Sequence, residues 1–342
     1  MILIRADANE QIGAGHVMRC LAVARALRAR GEEVRFVTAD RRADRLLARY
    51  GLDAICLDLD RPDAAAETEQ LSRLIRRLSP AALLTDSYAV APPYFQALSP
   101  LVKTAYFDDL NAAVWDVDLL INYNIFSAAF DYTGYGGTRT KLLLTPRCAP
   151  LREEFQNRPP HAIRETAEDV FVSTGGADPE NVAERLLDRL CPVLPGLTFH
   201  FVIGPLRPGI EALKKKAGGN AVLHINETNM AALMRRCDIA VAAAGATLYE
   251  LCACGVPTVA YTLADNQRPA AEQFAQQRLM LTAGDCRNKE NFLHTLRKML
   301  SQLAENRAER QRLSEAMQQT VDGRGADRIA EELLGLARAP RR

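Results

Sequence analysis

Short apolar runs alternate with helix-spaced apolar positions along most of the chain. The run at residues 2–6, bounded by polar residues, predicts a strand. After a loop, Val17, Cys20, Leu21, Ala24 and Leu27 recur at helical spacing with arginines between them, and Gly31 marks the stop. Further strands are predicted at residues 34–38, 54–57, 82–85, 102–107 and 119–122, with helices at 43–50 and 71–78. Strands and helices alternating at this interval imply parallel βαβ units.

The pattern pauses at residues 131–160, which are rich in Gly, Thr, Pro and Arg and show little periodicity, so the connection between two domains is expected here. The alternation then restarts. Strands are predicted at 170–173, 199–203, 222–225, 239–243 and 258–262, and a mostly helical tail from residue 289 is broken at Asp322-Gly323-Arg324-Gly325. The expected architecture is therefore α/β, with one domain over 1–158 and a second over 159–342 that carries the helical tail. Ligands of open parallel sheets sit beyond the carboxyl ends of the strands, so a cleft between two such domains is the expected site.

Composition narrows the function classes. The 342 residues are 48% hydrophobic and 25% charged, which excludes a disordered, collagen-like or coiled-coil chain. With 43 Lys plus Arg against 42 Asp plus Glu, the net charge is +1, far from the basic excess of a protein that binds nucleic acid through its backbone. No apolar run approaches the ~20 residues of a membrane span, and the MILIRADANE start lacks signal-peptide character. Eight cysteines scattered through the chain suggest free thiols and a cytoplasmic setting. No metal site or cofactor is expected: Cys252-Ala253-Cys254 is too closely spaced for a zinc pair and has no second pair, so buried thiols are expected there.

Three motifs could carry chemistry. The first, Gly13-Ala14-Gly15-His16-Val17-Met18-Arg19, joins the first strand to the first helix. Its glycines permit a tight turn and close backbone approach to a ligand. His16 falls in the first turn of the helix, where the positive end of the dipole favours neutral imidazole, the form a general base needs; the plainer alternative is a histidine that caps or packs the helix. A dinucleotide fingerprint fails because Met18 stands where the third glycine belongs.

The second motif, Gly245-Ala246-Thr247-Leu248-Tyr249-Glu250, follows a strand and opens a helix that should end at Gly255 before Pro257. Free amides at Ala246 and Thr247 could seat a phosphate without metal. Glu250 could accept from ribose hydroxyls or simply complement the helix dipole. In the third, Ala264-Asp265-Asn266-Gln267, the side-chain amides of Asn266 and Gln267 suit sugar hydroxyl and acetamido groups, with helix capping as the alternative. Asp86-Ser87-Tyr88 and Asp108-Asp109 also follow strands, and Thr174-Gly175-Gly176 is a further close-approach loop.

On these residues the chain resembles the UDP-2,4-diacetamido-2,4,6-trideoxy-β-L-altropyranose hydrolases of pseudaminic acid biosynthesis. The match runs through Ile4-Arg5-Ala6-Asp7, Ile12 to Arg19, Asp86-Ser87-Tyr88, Phe107-Asp108-Asp109, Leu151 to Phe155 and Ser173 to Gly176. The stretch from Gly245 to Gln267 also resembles the nucleotide-binding half of the N-acetylglucosaminyltransferase of peptidoglycan synthesis. The resemblance implies a glycosyltransferase-B fold, two Rossmann-like domains with UDP on the second. It implies an inverting hydrolase without metal, with a UDP-amino sugar as its partner and His16 activating water. The expected sugar-side residues are Gly13, Gly15, Arg19, Asp86, Tyr88, Asn266 and Gln267; those for the nucleotide are Gly175, Gly245, Ala246, Thr247 and Glu250. A glycosyltransferase that uses the same residues and a sugar-nucleotide-binding protein without catalysis are the alternatives.

Overall fold

The computed structural model describes residues 1–8, 15–59, 64–204 and 207–339. It divides into two compact units, Met1–Glu153 with Arg324–Arg342, and Glu154–Gly323.

The first unit is built on a seven-stranded sheet. Its elements are β1 (Ile2–Ala6), α1 (Gly15–Ala29), β2 (Val34–Thr38), α2 (Asp44–Arg49), β3 (Ala54–Cys56), α3 (Ala64–Leu78), β4 (Ala82–Asp86), α4 (Pro92–Leu98), β5 (Lys103–Phe107), β6 (Leu119–Ile121) and β7 (Lys141–Leu143). All pairings are parallel, in the order β3-β2-β1-β4-β5-β6-β7. Alternation along β1 sends Ile2, Ile4 and Ala6 into a core with Val17, Leu21 and Leu27 of α1. Leu3 joins the opposite core with Leu71, Leu74 and Phe95 of α3 and α4. Both faces of the sheet are thus covered, as a parallel sheet requires.

The second unit has a six-stranded parallel sheet of β8 (Asp169–Ser173), β9 (Thr198–Ile203), β10 (Ala221–Ile225), β11 (Ile239–Ala243), β12 (Thr258–Thr262) and β13 (Leu281–Asp285), in the order β10-β9-β8-β11-β12-β13. Between and after these strands run α5 (Val182–Arg189), α6 (Ile210–Lys216), α7 (Met230–Arg236), α8 (Thr247–Cys254), α9 (Arg268–Gln276), α10 (Lys289–Glu305) and α11 (Arg307–Thr320). In each sheet the strand order reverses once, between β1 and β4 and between β8 and β11. Such switch points open a crevice at the carboxyl ends of the strands.

The expectation of two parallel α/β domains is met, but the placement of the tail is corrected. The last helix, α12 (Gly325–Arg338), belongs to the first unit, where Ala326, Ile329, Ala330 and Leu333 enter the α1 core. Gly325 is what lets it in: a Cβ there would overlap the carbonyl oxygen of Ala149. The forward crossing lies at Glu153 and Glu154, not at Pro159-Pro160. The aperiodic stretch read as a connection holds the three-residue edge strand β7.

Candidate active site

Two side chains arrive at the first switch point from neighbouring strands. His16 is the second residue of α1, which follows β1, and Asp86 is the last residue of β4. Nδ1 of His16 lies 2.5 Å from Oδ1 of Asp86. Arg19, one helical turn further along α1, donates from Nε to Oδ2 at 2.5 Å and from Nη2 to Oδ1 at 2.6 Å. A carboxylate held by a bidentate guanidinium has no proton of its own, so the hydrogen between His16 and Asp86 is assigned to Nδ1. With that hydrogen on Nδ1, Nε2 carries the lone pair in the neutral form of the ring, and the contacts to the described residues are made through Nδ1. Burial by itself would raise the Asp86 carboxyl, but the charge and hydrogen bonds of Arg19, helped by His16, pull it down to about 2.

The cluster continues outward. Nη1 of Arg19 lies 2.8 Å from Oδ2 of Asp109 and 3.1 Å from the Tyr123 hydroxyl, and its guanidinium sits over the Phe107 ring. Oδ2 of Asp109 also accepts from the Tyr88 hydroxyl at 2.8 Å, while its Oδ1 accepts from Asn124 Nδ2 at 2.9 Å. Tyr88 is half exposed and meets the His16 ring edge-on at 4.6 Å.

The structure therefore redistributes the sugar-side residues expected from sequence. Tyr88 is half exposed, whereas His16 is buried, 7% exposed, beneath it. The Asp86 side chain has no exposed surface, and both of its oxygens are engaged; its place is behind His16, not on a sugar. The guanidinium of Arg19 is likewise spent on Asp86, Asp109 and Tyr123. Gly15 is exposed at the start of α1 with open space where a Cβ would go, whereas Gly13 lies outside the described residues. Asp108 turns inward, accepting from the Leu110 and Asn111 amides and from Trp115 Nε1 to close its own loop.

In the second unit the switch point is lined by backbone. Gly175, at φ +78°, turns the chain after β8, and Gly204 after β9 packs so closely that a Cβ would fall 2.5 Å from the carbonyl oxygen of Gly176. Across the switch point, Gly245 and Ala246 are exposed ahead of α8. No side chain caps α8 at Ala246; the Leu248 and Tyr249 amides donate to the Gly245 and Ala246 carbonyls, and the positive end of the helix dipole lies at Ala246 and Thr247. The helix stops at Gly255 in the left-handed conformation, φ +70°, as its sequence predicts. Glu250 is partly exposed in the first turn of α8. Asn266 is exposed in the turn Asp265–Gln267; Gln267 closes that turn, its Oε1 accepting from the Leu263 amide at 2.8 Å.

Sequence reasoning missed the connecting role of Asp109, Tyr123 and Asn124, and the Gly176–Gly204 contact. Asp109 had a signal, its place after a predicted strand, but no local pattern announces a partner 21 residues away. Gly204 had none. Cys252 and Cys254 are buried free thiols. Among the described residues, no group of three His, Cys, Asp or Glu side chains is placed to hold a metal, and no helix is long and apolar enough to cross a membrane.

No protein-family model matches the chain. It is 27% identical over 202 residues to the spore coat polysaccharide biosynthesis protein SpsG of Bacillus subtilis, a match over 57% of this chain and 56% of that one. The chain thus spans little more than half the length of that relative. It is 24% identical over 284 residues to the UDP-2,4-diacetamido-2,4,6-trideoxy-β-L-altropyranose hydrolase of Campylobacter jejuni, covering 81% of this chain and 96% of that one. The resemblance read from the motifs is therefore found over most of the sequence. Among solved structures, MurG of Acinetobacter baumannii superposes with a TM-score of 0.68 at 18% identity, over 98% of this chain and 99% of that one. The fold is that of the glycosyltransferase-B proteins.

Proposed function

We propose that the protein hydrolyses a UDP-linked diacetamido-trideoxy hexose at the anomeric carbon, releasing UDP and the free sugar with inversion. The observation that carries this reading is the His16–Asp86 pair, in which Nδ1 is committed and Nε2 is left as a base. The similarity to the Campylobacter hydrolase supplies the substrate class.

In this reading the second unit holds UDP, with the diphosphate on the amides of Ala246 and Thr247, Gly245 and Gly175 leaving room for it along the backbone, and Glu250 on the ribose; the Gly245 amide itself donates to the Ala243 carbonyl at 2.8 Å. His16 Nε2 takes a proton from water as the water oxygen bonds to the anomeric carbon. The bond from that carbon to the diphosphate oxygen breaks, and its electron pair leaves with UDP. The uncapped α8 terminus stabilises that developing charge. His16 then returns its proton to solvent. Tyr88, Asn266 and Gln267 are the proposed sugar contacts, with Gly13 and Gly15 on the backbone side. Asp86 and Arg19 act through His16.

The test is incubation with the UDP-diacetamido sugar in ¹⁸O-water, with no acceptor added. Label is expected in the free sugar and none in UDP, and NMR before mutarotation should show the inverted anomer. Label in UDP, or UMP with a sugar phosphate, would overturn the mechanism. Turnover only after an alcohol is added would make the protein a transferase.

A further inference from the structure

Asp109 is held on three sides by donors: Arg19 Nη1 and the Tyr88 hydroxyl on Oδ2, each at 2.8 Å, and Asn124 Nδ2 on Oδ1. The direction of the middle bond is fixed by chemistry. Arg19 can only donate, so Oδ2 is an acceptor, and the Tyr88 O–H must point at it. The phenol proton is thereby committed, and the phenolic oxygen is left with lone pairs alone on a side chain that is half exposed and stands edge to face with the His16 ring, centroids 4.6 Å apart.

We propose that Asp109 is a positioning residue that sets the hydrogen-bond polarity of Tyr88, so that the phenolic oxygen accepts from the ligand and selects a sugar carrying a hydrogen-bond donor at that point. An acylated amine or a hydroxyl offers such a donor and a keto group or ether does not. Resting on the hydrolase reading above, this makes an acetamido N–H or a sugar hydroxyl the group that Tyr88 recognises. Burial, followed by Asp109, pushes the Tyr88 phenol well above its ordinary value, which agrees with a proton held in place. Without Asp109 the hydroxyl would rotate freely and could donate to the ligand or to water.

Two measurements test this. The first needs no substrate. Alkaline difference spectroscopy of the full chain should show one phenol titrating at lower pH in Asp109→Ala than in the wild type, the part of the rise due to burial remaining. That shifted phenol should vanish in the Asp109→Ala/Tyr88→Phe double variant. A titration curve unchanged in Asp109→Ala overturns the bond. The second is a double-mutant cycle with the UDP-diacetamido sugar. Asp109→Ala should lower kcat/KM roughly 10-fold or more, mainly through KM, and by less than about 2-fold when Tyr88 is already Phe. UDP affinity should not move. An equal loss in the Tyr88→Phe background would mean that Asp109 acts only through Arg19 or the fold. A wild-type chain that neither binds nor turns over the sugar nucleotide would overturn the hydrolase reading and the ligand half of this proposal, while the titration would still decide the Asp109–Tyr88 bond.

Discussion

Nδ1 of His16 lies 2.5 Å from a carboxylate oxygen of Asp86, and Arg19 holds that carboxylate from the other side with two further hydrogen bonds. The arrangement fixes both the orientation of the ring and its tautomer. Its cost is a buried anion, which the guanidinium neutralises. His16→Ala is expected to reduce turnover ~100- to 10,000-fold, the usual worth of a general base, with UDP affinity nearly unchanged. Single-turnover kinetics alongside calorimetry with UDP checks both halves; more than about a tenth of the wild-type rate would remove His16 from the base role.

Asp86→Asn tests the orienting role separately. The amide cannot hold the same tautomer, and in serine proteases that change alone costs on the order of 10,000-fold. A loss of 100-fold or more is expected here by the same reasoning, with UDP binding preserved. Asp86 also makes acid stability measurable. Its carboxyl is depressed from the ordinary value near 3.9 to about 2, so its stabilisation is complete above about pH 4 and is lost as pH falls towards 2. The amount is about 2–3 kcal/mol at ~1.4 kcal/mol per unit. In urea melts at stepped pH, Asp86→Asn should be less stable at neutral pH and flatter between pH 4 and 2 than the wild type.

A second pH effect sits at higher pH. His161 is buried, and burial followed by the charge of Arg235 lowers it to about 4. The folded chain therefore prefers the neutral ring, while the unfolded chain takes up a proton near 6.5. Stability from this group is complete above about pH 6.5 and is lost as pH falls from there to about 4, by roughly 3 kcal/mol. His161→Phe should remove that slope. A wild-type stability that stays level from pH 7 to 5 would sink the expectation.

Gly325 makes the entry of α12 a point of sensitivity. A Cβ there would overlap the Ala149 carbonyl and press on the Cys148 backbone, neither of which is the end of a flexible side chain. Gly325→Ala should destabilise the first unit by about 1–3 kcal/mol, the usual overpacking range. Gly335→Ala in the same helix, where nothing lies within 4 Å of the new carbon, is the control and should be neutral or slightly stabilising. Equal melting curves for the two variants would contradict the packing argument.

The sequence was most readable where one local rule decided the outcome. β1 and β11 are buried along their whole length, and the α8 stop at Gly255 and Pro257 is local chemistry, so their bounds could be read directly. β7 and β13 are edge strands, and β7 is only three residues long, so neither carries much of a pattern. The assignment of α12 to the first unit could not be read at all. Its apolar stripe announces a buried face but not which core receives it, and the answer depends on a glycine contact 176 residues away in sequence, between Gly325 and Ala149. The site divides in the same way. His16 and the α8 terminus come from short motifs, but the Asp86 carboxylate behind His16 and the Asp109 link to Tyr88 exist only because the strand order brings β4 beside β1 and β5 beside β4.

Glu250 offers a test of the nucleotide half. It stands in the first turn of α8, partly exposed, beyond the uncapped amides proposed for the diphosphate. A ribose contact would be the same in the ground and transition states, because the ribose takes no part in bond breaking. Such uniform binding affects KM and leaves kcat alone. Glu250→Gln should therefore raise KM and weaken UDP binding in parallel, by roughly 10-fold to 100-fold for the loss of charge-assisted hydrogen bonds to hydroxyls, with kcat within about 2-fold. A dipole role for Glu250 makes a different prediction. Removing the acid from the first turn would cost helix stability by about 0.3–1 kcal/mol and would leave the positive end more exposed, so the diphosphate should bind no more weakly than before. The 2′-deoxy form of UDP separates the two. If Glu250 holds the ribose through that hydroxyl, 2′-deoxy-UDP binds wild type and Glu250→Gln almost equally. If Glu250 serves only the helix, the deoxy analogue loses the same factor against both.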